Sequence, residues 1–173
     1  TSGTYTLNNV IVIGTVIQDE IGHAQPGDEV RVIKGTFVED VTVDKDVTLI
    51  GIPDPFAPLP AVVIDGLINI TADGASVSNL KIAPGNVSGQ VAAISINAGN
   101  TTVSGNLIDG MAGDSTASVK GIFVYGGSTT ALENITISGN TVKNISNPGA
   151  GIKGTDGIQI QGNLIGVNVS NNI

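Results

Sequence analysis

A chain of 173 residues whose side chains are 40% apolar but only 3% aromatic, with no Trp, must build its core from Val, Ile, Leu and Ala. Seven Lys and Arg against fifteen Asp and Glu, a net charge of -8, supply no basic stripe to neutralise phosphates, which argues against nucleic acid and anionic membrane surfaces as partners. The absence of Cys excludes disulfides, thiolate metal sites and Cys nucleophiles.

Only 13% of residues are charged, while Gly, Asn, Ser and Thr abound, so few helices are expected. No apolar run approaches the roughly 18 residues of a membrane span, and no signal-peptide pattern occurs. Together with Thr1 in first place this reads as a mature secreted chain or an excised fragment.

In chain order, residues 1–15 contain TYTLNNVIVIG, Thr4 to Gly14, a β-rich segment. Residues 16–173 then form one domain. VIQDEIGHA, Val16 to Ala24, places Val16, Ile17, Ile21 and Ala24 on one face with Asp19 and Glu20 opposite, which predicts an amphipathic helix. Pro26 and Gly27 end it. His23, the single histidine, reads as an exposed or capping residue of that helix rather than as a base or metal ligand.

From Glu29 the pattern changes to short runs of period two: VRV, VTVDKDVTLIG, VVI, INI, VSNLKI, ISI, IFV, ITI, IQI and VNV. These predict strands of a few residues each. Between them, IPDPFAPLPAV, Ile52 to Val62, makes a stiff apolar protrusion. It either folds over the sheet or, through Pro53, Phe56 and Leu59, offers a docking surface.

One phrase recurs. VSGNLI at Val103 to Ile108 returns as ISGNTV at Ile137 to Val142 and IQGNLI at Ile160 to Ile165, with VSNLKI at Val77 to Ile82 as a looser cousin. Repeats about one structural unit apart predict stacked coils. In such a stack the aliphatic residues point inward over their copies. The Asn residues, counted as Asn79, Asn106, Asn140 and Asn163, fall at a bend where they take a left-handed backbone and form a ladder.

Asp109 and Asp114, in the loop DGMAGDSTASVKG with Lys120 nearby, are the best acidic and basic grouping of the later coils. Turn-forming Asp is the plain reading; a calcium or sugar contact is the other. Gly149, Gly151 and Gly154 match a dinucleotide fingerprint, but a strand follows them directly and no acidic residue lies about 20 positions on, so the match is accidental. Six N-x-S/T sequons, at Asn69, Asn86, Asn100, Asn134, Asn144 and Asn168, are candidate glycan sites in a secreted chain.

The run Ile17 to Gly51 resembles the N-terminal cap and first coil of the right-handed parallel β-helix superfamily, which includes pectate lyases, pectin methylesterases and secreted or surface-layer repeat proteins. GTFVE at Gly35 to Glu39 is similar to the opening GxYxE phrase of pectin methylesterases. The resemblance implies an all-β, single-stranded right-handed parallel β-helix of about six coils with one capping helix. The superfamily's catalytic phrases are absent: no Gln-Asp-Thr, Asp-Phe-Ile-Phe-Gly or Leu-Gly-Arg-Pro-Trp, and no Asn-Thr-Asp, Gly-Asp-Asp or Gly-His-Gly. The only Arg, Arg31, lies in the first coil rather than at the helix centre where a lyase base belongs.

A non-catalytic extracellular structural or adhesive module is therefore expected, with no cofactor. Its partner is expected to be itself, stacked head-to-tail into a filament or layer through Tyr5, Leu7, Val10 and Val12 of the N-terminal strand and Val167, Val169 and Ile173 of the last coil. The alternatives are a calcium-dependent polysaccharide lyase or hydrolase working near Asp109, Asp114 and Lys120, and a sugar-binding module. The scarcity of aromatics weighs against the latter.

Overall fold

A computed structural model describes residues 16–56, 60–114, 118–147 and 154–173, and residues 10–13 as backbone. Tyr5, Leu7, Leu59, Gly149 and Gly151 lie outside the described residues.

Among the described residues the first elements are strand Val10–Ile13 and the helix Ile17–His23. Val16, predicted inside the helix, is its N-cap with an extended backbone, and Ala24 is the C-cap. Ile17 and Ile21 are fully buried, so the helix covers one end of the core as its amphipathic pattern requires.

Most of the strands that follow visit three sheets in cyclic order, Leu132–Glu133 and Leu164–Ile165 pair in a small fourth one, and all the pairs that build these sheets are parallel. The first sheet has seven strands, in the order Val10–Ile13, Glu29–Val32, Thr48–Gly51, Ser76–Ser78, Thr102–Ser104, Thr136–Ser138, Asn168–Ser170. The second contains Gly35–Phe37, Val62–Ile64, Lys81–Ile82, Leu107–Gly113, Gly85–Val87 and, paired to Leu107–Gly113, Thr141–Ser146. The third stacks Val41–Val43, Ile68–Ile70, Gln90–Ile96, Ser118–Gly126 and Thr155–Gly162. Each return to the first sheet lands one row further along. Among the described residues the architecture is all-β apart from one helix, and it is compatible with a parallel solenoid.

The register explains the β-branched composition. Val30, Leu49, Val77, Val103 and Ile137 stand one above another on the first sheet, all fully buried, and Ile68, Ile94 and Ile122 do the same on the third. β-Branched side chains stacked on their own kind fill such a core without aromatic bulk. Among the described residues Phe37 is the one aromatic inside it.

Two readings of the sequence need correction. The run VTVDKDVTLIG is two strands on different sheets, Val41–Val43 and Thr48–Gly51, because the polar residues between them turn the chain and Lys45 reaches back to the helix. DGMAGDSTASVKG is largely strand rather than loop: Leu107–Gly113 and Ser118–Gly126 carry Asp109 and Lys120. Met111 is fully buried between small residues, and Gly110, at φ 89°, supplies a bend that other side chains resist.

Candidate functional site

At the corner between the first and second sheets the repeated hexads form a buried ladder, and its members differ from those expected. Asn106 and Asn140 are in it, and the third rung is Asn172. The backbone N–H and the Nδ2 of Asn106 both donate to Oδ1 of Asn140, at 2.9 and 3.1 Å. The same two groups of Asn140 donate to Oδ1 of Asn172, at 2.9 and 3.0 Å for N–H and Nδ2. Across the rows the amides of Asn106, Asn140 and Asn172 donate to the carbonyls of Val77, Val103 and Ile137.

Asn79 is not a rung. It aligns with Gly105 and Gly139 and, like Asn171, takes the left-handed backbone, with φ between 55° and 65°. Leu80 fills the rung position and donates its N–H to Oδ1 of Asn106. Two adjacent residues thus divide what a single Asn was expected to do: one turns the chain, the next bonds the rows. The hexad IQGNLI is not a fourth copy either. Its Ile160, Gln161 and Gly162 lie on the third sheet opposite Val124, Tyr125 and Gly126, and the true fourth copy is VSNNI, Val169 to Ile173.

The stack ends in an apolar row. Val169 is 43% exposed although Ile137 above it is fully buried, and Ile160 is 42% exposed below a fully buried Val124. Ile165 and Ile173 are also exposed, whereas Val167 packs partly against the core. Sequence reasoning named Val167, Val169 and Ile173 but missed Ile160 and Ile165.

The opposite end is closed by side chains. The Glu39 carboxylate accepts the N–H groups of Ile17 and Gln18, which caps the helix start. The Gln18 amide copies a strand: its Oε1 accepts from Thr42 N–H at 2.6 Å and its Nε2 donates to the Thr42 carbonyl at 3.2 Å, so the first strand of the third sheet has no open edge there. Lys45 Nζ donates to the carbonyls of Gly22 and Ala24 at the helix end. Val10 and Val12 lie on a strand that pairs with its own first row, Glu29–Val32.

Asp109 lies on a strand of the second sheet and Lys120 on a strand of the third, with Asp114 just after the strand that carries Asp109. Asp109 accepts from Asn144 Nδ2 at 2.7 Å and lies between Lys81 Nζ at 3.5 Å and Lys143 Nζ at 3.7 Å. Lys120 is buried on the third sheet, where its Nζ donates to Ser118 Oγ at 3.0 Å and sits 5.2 Å from the Phe123 ring centroid, itself stacked on Tyr125. Asp114 follows the strand that ends at Gly113, its N–H donating to the Val87 carbonyl. Two ammonium groups beside Asp109 oppose a divalent cation, and no group of three or more potential metal ligands occurs among the described residues.

The Asn144 hydrogen bond, followed by the charges of Lys143 and Lys81, holds the Asp109 carboxyl below the usual carboxylate range against the opposing effect of burial. The unfolded state therefore binds a proton at higher pH than the folded state. The stability Asp109 contributes is present above the ordinary Asp pKa of about 4 and is lost as pH falls through its lower folded value. Denaturant titrations from pH 6 to 2.5 should show Asp109→Asn with a shallower acid loss than the parent. An unchanged slope contradicts the assignment.

Pro53, Pro60 and Ala61 of the proline-rich segment line a groove of about 270 Å³ together with Gly105, Asn106 and Gly139. Phe56 beyond it is 96% exposed. Of the sequons, Asn86, Asn100, Asn134, Asn144 and Asn168 are exposed, and Asn69 is half-buried with its Oδ1 accepting from Asn97. His23 is exposed in the last turn of the helix, and Gly154 is exposed just ahead of strand Thr155–Gly162. No helix among the described residues is long and apolar enough to cross a membrane.

No family model, curated protein or solved structure matches the chain, so its parallel all-β architecture and the open strand row carry the functional reading.

Proposed function

We propose that the chain is a structural or adhesive module of a secreted or surface protein, a right-handed parallel β-helix of about six coils that extends by adding a further strand row next to Thr155–Gly162 and Asn168–Ser170. One observation carries the reading: Ile160 and Val169 are 42% and 43% exposed, whereas the equivalent inward positions one row above, Val124 and Ile137, are fully buried. A row added in cis or in trans removes that apolar surface from water and pairs the open strand edge. The N-terminal strand is the other element this reading assigns to assembly, through the edge not used by Glu29–Val32.

The test is the mass of the 173-residue chain by light scattering over a hundredfold range of concentration, alongside Val169→Lys. The parent should gain mass with concentration while Val169→Lys remains monomeric with an unchanged circular dichroism spectrum. A parent that stays monomeric throughout overturns the proposal.

A further inference from the structure

The outward face of the third sheet carries a chemistry that the end row lacks, and it stands whether or not that row is covered. We infer that this face binds a neutral polysaccharide, with Tyr125 at the centre of the site.

Side chains alternate across a strand, so on Ser118–Gly126 the buried Ile122 and Val124 leave Phe123 and Tyr125 on the outward face. The chain has only three Phe and two Tyr, yet the fold sets these two together, with ring centroids 5.9 Å apart and planes 29° from parallel. Tyr125 is 46% exposed, so one member of the pair is open to a ligand. An aromatic face is electron-rich, and the weakly positive C–H groups on the flat side of a sugar ring are its complement.

Around the rings stand amides and hydroxyls rather than charges. Thr42, Asn69, Ser95, Phe123 and Gln159 form one outward column in register across five rows. Gln161 stands opposite Tyr125, and Asn97, which follows the Val124 partner Ile96, flanks Tyr125 on its other side. None of these residues is charged near neutral pH, although the chain as a whole carries -8. The two charges on these strands, Lys120 and Asp156, lie opposite each other three residues before Phe123 and Gln159, and Lys120 is buried with its Nζ donating to Ser118 Oγ. An acidic polymer or a divalent cation finds no charged partner in the column, whereas sugar hydroxyls find both donors and acceptors.

The amides are also prepared for a ligand. Asn97 Nδ2 donates to Asn69 Oδ1 at 2.8 Å, which fixes both side chains in advance. Gln159 Oε1 has no hydrogen-bond partner, so turning that amide toward a hydroxyl breaks no bond at the oxygen. A polymer lying along the stack meets a fresh set of these groups in every row, roughly 4.8 Å apart.

Affinity electrophoresis tests the inference, because an acidic chain migrates freely through native gels that contain a soluble polymer. The gels would hold hydroxyethyl cellulose, glucomannan or neutral galactan, with polygalacturonate as the charged comparison. At least one neutral polymer should retard the parent, and polygalacturonate should not. Tyr125→Ala should weaken the retardation at least about tenfold in dissociation constant with an unchanged circular dichroism spectrum, while Tyr125→Phe, which keeps the ring, retains most of it. Val169→Lys should be retarded like the parent, which separates this site from the end row. Retardation by polygalacturonate alone, by none of the polymers, or equally in the parent and Tyr125→Ala would overturn the inference and leave the stacking proposal untouched.

Discussion

Asn140→Ala should lower the stability of the chain by about 4 kcal/mol, measured by urea unfolding near neutral pH, although it removes only three heavy atoms. Asn140 is fully buried. Its Oδ1 takes two donors from Asn106, and its Nδ2 serves both the Val103 carbonyl and Asn172 Oδ1. Truncation leaves those partners without water and without a substitute, and each buried group left unsatisfied costs about 1–3 kcal/mol. Asn140→Asp should be no better, because a carboxylate accepts from Asn106 but cannot donate to Val103 or Asn172. The comparison is Asn97→Ala, which breaks a similar Asn-to-Asn hydrogen bond at an exposed position and should cost less than about 1 kcal/mol. Equal losses at the two sites would mean that burial is not what gives the ladder its weight.

The ladder also shows how far the sequence could be read. That VSGNLI and ISGNTV stack was legible, because identical inward residues at a solenoid-like interval leave few other arrangements. The division of labour at the corner was not. VSNLKI and VSGNLI are both hexads, and lining them up on Asn pairs Asn79 with Asn106. The structure instead aligns Asn79 with Gly105, since Val77 and Ser78 pair with Val103 and Ser104. Left-handed backbone is open to Gly and Asn alike, so residue identity alone does not say which Asn turns the chain and which bonds the rows. The signal was the aliphatic-Ser pair in front, present in VSGN, ISGN and VSNN and missing from IQGN.

The exposed last row was half legible for a similar reason. Period-two spacing tells which side chains point inward, and Val169 follows from it, whereas Ile173, past the bend at Asn171, aligns with the outward Thr141. Whether another row covers them is a property of the neighbouring row and leaves no mark on the strand itself. Ile160 and Ile165 were passed over because IQGNLI resembled a ladder hexad. Gln18 as a substitute strand was beyond reach: it pairs with Thr42, 24 residues away, and nothing near Gln18 in sequence announces the partner.

The central claim is that an in-register aliphatic stack ends in a row that a further row can cover, and one pair of substitutions tests it most directly. Ile96 and Ile160 occupy the same column of the third sheet, each opposite Val124, yet Ile96 is fully buried and Ile160 is 42% exposed. In dilute solution Ile96→Ala should cost about 3–4 kcal/mol, the loss expected from a core that cannot close around the cavity. Ile160→Ala should cost less than about 1.5 kcal/mol, because much of its side chain is already in water. As protein concentration rises and the row is covered, the Ile160→Ala penalty should grow while the Ile96→Ala penalty stays fixed. Two equal penalties in dilute solution, or an Ile160→Ala penalty indifferent to concentration, would contradict the account.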